Sequence, residues 1–176
     1  MQNPFATETV TFATPIAMLS ACHDRVRHYA ALTEKLVPHL QACGVDAAAI
    51  AAAQSILRYF DVAAPLHHQD EDDDLFPALL ASATPELAQT IAEISAEHAQ
   101  LAVLWQQVRS ALLAVIAGDG SELTPELAGK FAVRYPYHAA REELEIYPYA
   151  SVLSAETLRN LGIVMAQRRG MKLSVD

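Results

Sequence analysis

Two histidine–glutamate pairs stand in matching positions of the chain. His67 is followed four residues later by Glu71, and His138 by Glu142. The stretches around them, residues 60–77 and 131–148, align without a gap at an offset of 71 (138 − 67 = 71). They match at Phe60/Phe131, Val62/Val133, Pro65/Pro136, His67/His138, Glu71/Glu142 and Pro77/Pro148, and both end acid, apolar, aromatic, proline. Residues four apart on a helix stack within about 6 Å on one face, so each pair can reach one metal centre. Two further histidines, His23 in L-S-A-C-H and His98 in I-S-A-E-H, repeat at an offset of 75 (98 − 23 = 75). Four imidazoles and two carboxylates exceed what one divalent ion needs and suit two metals bridged by the glutamates. Imidazole with carboxylate and no thiolate selects iron, manganese or zinc.

These residues require helices that turn them inward. Hydrophobic residues make up 52% of the 176, with only 6 glycines, a composition that favours helices over sheets. Thr14-Pro15, Thr84-Pro85 and Thr124-Pro125 read as N-caps followed by N1 prolines. A first helix should run from Pro15 to Cys43 and stop at Gly44, with Pro38 kinking it or trimming its last turn. The second should run from Asp46 to Leu80, bent at Pro65 just before His67. The third should end near Ala117, the fourth carries His138, and a shorter fifth begins at Ser154. Short loops between long helices imply an antiparallel up-down four-helix bundle with an additional C-terminal helix, all in one domain of 1–176. Residues 1–13 read as a loose lead-in.

Several residues compete for roles. His68 with Asp72 is also an i, i+4 pair, but its repeat mates are Ala139 and Glu143, so the internal symmetry selects His67 and Glu71. Glu143, about 140° from His138 on an ideal helix, would need distortion to ligate. Asp70, Asp72 and Asp73 read as a solvated face, and Asp74 and Glu145 as acids that orient imidazoles or guide cations inward. His28 and His39 have no symmetry mate and are expected on the surface.

The formal charge of −9 disfavours nucleic-acid binding. Arg168, Arg169 and Lys172 read as a helix C-terminus complementing its dipole. No apolar run of about 18 residues or basic leader is evident, so no membrane partner is expected and the cytoplasm is the expected location. Cys22 and Cys43 are too few for a disulfide framework, and Cys22 reads as a buried thiol.

His23-Asp24-Arg25, HHQDEDDDLFPAL, Glu97-His98 and HAAREELEIYP together resemble the hemerythrin-like HHE cation-binding family over roughly residues 15–170. The resemblance implies a four-helix bundle holding an oxo- or hydroxo-bridged pair of iron ions that binds oxygen-derived or other small ligands. Its ligands would be His23, His67, Glu71, His98, His138 and Glu142. The oxygen carriers of that family have a fifth histidine where this chain has Ala102, which shifts the expectation from reversible carriage towards sensing or redox turnover. Tyr135, Tyr137 or a water could take the position, Tyr135 foremost. The function expected is that of a non-haem di-iron protein binding dioxygen or a related small ligand, with no enzymatic assignment. A di-iron enzyme acting on peroxide, nitric oxide or ferrous iron, or an interaction module with a vestigial or single-zinc site, would be the alternatives.

Overall fold

The computed structural model describes residues 11–171. Five helical segments account for nearly all of them: α1 (Pro15–Cys43), α2 (47–80), α3 (Pro85–Ile116), α4 (Pro125–Glu145) and α5 (Ala155–Arg168), with a 3₁₀ segment, Tyr147–Val152, between the last two. No strand occurs among the described residues. Helices α1 to α4 pack in a ring, α1 on α2, α2 on α3, α3 on α4 and α4 back on α1, as an up-down bundle requires.

Local chemistry sets the boundaries. Asp46, Thr84, Thr124 and Ser154 each accept a backbone N–H three residues on, satisfying donors that the first helical turn leaves free. Thr14 departs from its expected role, its hydroxyl donating back to Thr11 O instead. Gly44 closes α1 at φ +70°, a backbone conformation open to glycine. Pro38 does not trim the helix, which runs on to Cys43.

α2 is where the chain leaves ideal geometry. It holds two π-helical turns, Tyr59–Ala63 and Asp70–Leu75. The first lies immediately before Pro65, which has no N–H to give and whose ring crowds the carbonyl four residues back; a wider turn relieves that conflict. The second falls between His68 and Phe76, beside the chemistry.

The apolar core comes in two blocks. One holds Phe60, Trp105, Phe131 and Tyr135, with ring centroids of Phe60 and Phe131 4.8 Å apart. The other holds Leu75, Phe76, Ile94, Ile146, Leu161 and Met165. His23 lies between buried Leu19 and Val26, and His98 between Ile94 and Leu101, so the histidines form a polar layer between the blocks. α3 has the length and mean hydropathy of a membrane-crossing helix, which the sequence reading did not anticipate; here it lines the bundle core and carries His98.

The lead-in is less loose than expected over its described part. Phe12 is buried against α5, with its carbonyl so close to Gly162 that a Cβ there would overlap it. Residues 1–10 and Lys172 lie outside the described residues. Cys22 is half-buried rather than buried, and Cys43 is exposed.

Candidate metal centre

Each bundle helix delivers part of one cluster: His23 from α1; His67, His68 and Glu71 from α2; His98 from α3; His138 and Glu142 from α4. The potential ligand atoms fall into two groups, His23/His67/Glu71/Glu142 and His68/His98/His138, with all atoms of a group within 4.8 Å of one another. Glu71 and Glu142 have no solvent exposure at all.

Glu142 joins the groups. Its Oε1 lies 2.9 Å from His138 Nε2 and 3.3 Å from His98 Nε2, while its Oε2 lies 3.1 Å from His23 Nε2. Glu71 Oε2 lies 3.5 Å from His67 Nε2 and 3.6 Å from His98 Nε2. The Nε2 atoms of His23 and His67 are 2.9 Å apart. Two nitrogens at right angles around one metal, with bonds of about 2.1 Å, stand about 3 Å apart. Despite these short approaches, Glu71 Oε2, Glu142 Oε2 and His138 Nε2 are buried without a hydrogen bond of acceptable geometry. Buried polar atoms left in that state are costly, and a cation at the centre of each group would satisfy them.

Carboxylates on the far side fix three of the imidazoles. His23 Nδ1 donates to Glu143 at 2.9 Å, His98 Nδ1 to Asp72 at 2.7 Å and His138 Nδ1 to Glu97 at 2.9 Å. Each acid is itself held: Glu143 by Arg27, Asp72 by the Ser95 hydroxyl, and Glu97 by Arg141, which also grips Glu145. Such partners turn Nε2 towards a metal and set the tautomer.

The electrostatics of the metal-free centre show the strain of two buried carboxylates. Burial and the neighbouring Glu142 push Glu71 well above the usual carboxylate range. Burial acts the same way on Glu142, but hydrogen bonds from His138, His23 and His98 outweigh it and hold it well below. Burial, reinforced by neighbouring imidazoles, depresses His67 and His68 well below an ordinary histidine. Burial also works against protonated His98, yet bonds to Asp72 and Glu142 raise it to about 9. Burial, then the charges of Glu71 and Glu142, keep the Tyr147 phenol neutral.

All six residues expected from the sequence meet here. His68 joins them and corrects the symmetry argument that set it aside. The repeat is exact in number but not in geometry: α2 takes a π turn at Asp70–Leu75 where α4 has none, and adjacent His67 and His68 each serve a different group. Ala102 is exposed, so a side chain there would not face the centre, and neither tyrosine substitutes for one. Tyr135 donates to Leu101 O at 3.0 Å, and Tyr137 is 59% exposed. His68, stacked on His98 at 4.0 Å between centroids, supplies the fifth imidazole.

The acidic run also differs from the expected solvated face. Asp73 is solvated, but Asp72 orients His98, and Asp70 is fully buried and paired with Arg168 and Arg169. These arginines therefore do more than end a helix; with Asp74 they clamp α5 onto α2. Asp74 and Glu145 reach arginines rather than imidazoles. His28 is exposed as expected, and His39 pairs with Asp46 at 3.0 Å. The His-His doublet was the available signal for His68. Glu97 and Tyr147 stood inside the motifs that carry the family resemblance, but nothing in the local pattern marked their roles beside His138 and Glu71.

Residues 14–150 match the Hemerythrin HHE cation binding domain. The chain belongs to this family. It is also 33% identical over 162 residues to an uncharacterized protein of Haemophilus influenzae, across 92% of this chain and 94% of the relative. For a hemerythrin-like domain, the His/Glu cluster is the feature compatible with cation binding.

Proposed function

We propose that this protein is a non-haem di-iron protein that binds dioxygen or a related small ligand in oxygen, redox or iron handling. The observation that carries the reading is the posture of Glu142, with one carboxylate oxygen against His98 and His138 and the other against His23. A carboxylate shared in this way between two imidazole groups supports two metals rather than one. His68, His98 and His138 would hold one ion; His23 and His67 would hold the other, with Glu71 and Glu142 shared. The donors are nitrogen and oxygen throughout, a set that suits iron and does not favour soft metals.

Bound irons would supply open coordination positions and a redox couple for a small ligand. The chain supplies the rest. Apolar blocks above and below the histidine layer exclude water, and Glu143, Asp72 and Glu97 hold the imidazoles in place. The test is expression with added iron, followed by metal analysis and exposure of the reduced protein to dioxygen. Reversible or turnover-linked spectral change with about two irons per chain supports the reading. Zinc, or a colourless iron-free protein after supplementation, would overturn it.

A further inference from the structure

The internal repeat places Tyr147 opposite Phe76 (147 − 76 = 71). Both rings do the same packing work: Phe76 stacks on His98 at 6.1 Å and 11°, and Tyr147 on His23 at 5.5 Å and 8°. They differ by one hydroxyl. That hydroxyl lies inside the centre, donating to Glu71 Oε1 at 2.6 Å and standing 3.3 Å from His23 Nε2. Glu71 thereby has one oxygen occupied, while its other oxygen is buried without a hydrogen bond. Glu142 has no such phenol, and its two oxygens face the two groups.

We propose that Tyr147 is a positioning residue that makes Glu71 a one-oxygen metal ligand, and so makes the two halves of the centre unequal. The inference rests on the metal-centre reading but not on the metal being iron. With Oε1 accepting the phenol's hydrogen bond, chelation through both oxygens competes with that bond, so Glu71 presents Oε2 to the ion. The ion on the His23/His67 side therefore keeps a coordination position that a second carboxylate oxygen would otherwise fill. Tyr147→Phe would keep the stacking on His23 and release Oε1.

The test is cobalt(II) titration of metal-free wild type, Tyr147→Phe and Tyr135→Phe, followed by visible absorption and chelator competition. Tyr135 is an equally buried phenol bonded to a backbone carbonyl away from the centre. Tyr147→Phe is expected to change the cobalt spectrum towards higher coordination number and to alter affinity at one of the two ions by about 10–100-fold. Its metal-free circular dichroism and melting temperature should stay close to those of Tyr135→Phe. Tyr135→Phe should leave spectrum and affinity at wild-type values. A Tyr147→Phe spectrum identical to wild type would overturn the proposal, as would equal effects from both variants. Failure of the di-iron reading is separate: it would appear as absence of iron from wild-type protein, whatever cobalt reports.

Discussion

At the scale of single residues, His68 separates what sequence spacing could find from what it could not. His67 and Glu71 are legible as an i, i+4 pair repeated in register; the internal symmetry that supported them also argued against His68. Geometry assigns it to the group with His98 and His138. His68→Ala should therefore lose about one metal per chain by elemental analysis, and exposed His28→Ala none; equal metal content in both would remove His68 from the site. Removing a supporting acid should act more gently. Asp72→Asn and Glu97→Gln are each expected to weaken metal binding about 10–100-fold in chelator competition, because each fixes an imidazole through Nδ1. The charge of His98 gives a pH signature. Its folded pKa, about 9, lies above the ordinary histidine value, so protonated His98 stabilises the metal-free fold below about pH 6.5. That contribution disappears as pH rises through 9. Metal competes with the proton for the imidazole, so the melting-temperature difference between loaded and chelator-treated protein should widen from pH 6.5 to 9. A difference that narrows over this window would contradict the assignment.

At the scale of elements, helix ends were the most legible feature, because Thr-Pro and Ser-Ala-Glu starts and Gly44 act through local hydrogen bonds and φ angles. The π turns were not. They add no recognisable residue type, and a 3.6-residue wheel carries its phase error through them unnoticed. The turn at Asp70–Leu75 lets His67, His68 and Glu71 face the centre while Leu75, Phe76 and Leu79 still face the apolar block below. Deleting exposed Asp73 would remove the additional residue and rotate one set relative to the other by about 100°. The deletion variant should keep its far-ultraviolet helical signal yet lose metal on elemental analysis. Full metal content in that variant would show the π turn to be dispensable.

At the scale of the whole molecule, the fold was readable because four amphipathic helices with short loops have few ways to bury their faces; the docking of the two ends was not. Burial of Phe12 and the Asp70–Arg168–Arg169 clamp join residues far apart in sequence, and no local period signals them. Gly162 tests that closure. Glycine to alanine inside a helix ordinarily stabilises by about 1 kcal/mol, as Gly129→Ala should, since nothing lies near a Cβ there. Gly162→Ala should instead lower stability by about 1–3 kcal/mol, because the new methyl meets the Phe12 carbonyl. Thermal melts of the two variants should move in opposite directions, and a stabilised Gly162→Ala would contradict this packing. The central claim is that the histidine layer holds two ions bridged by glutamate, and iron stoichiometry tests it most directly. Protein expressed with added iron and purified in air should contain about two irons per chain and show near-ultraviolet bands of a bridged ferric pair. A single metal per chain, or none, would contradict the account.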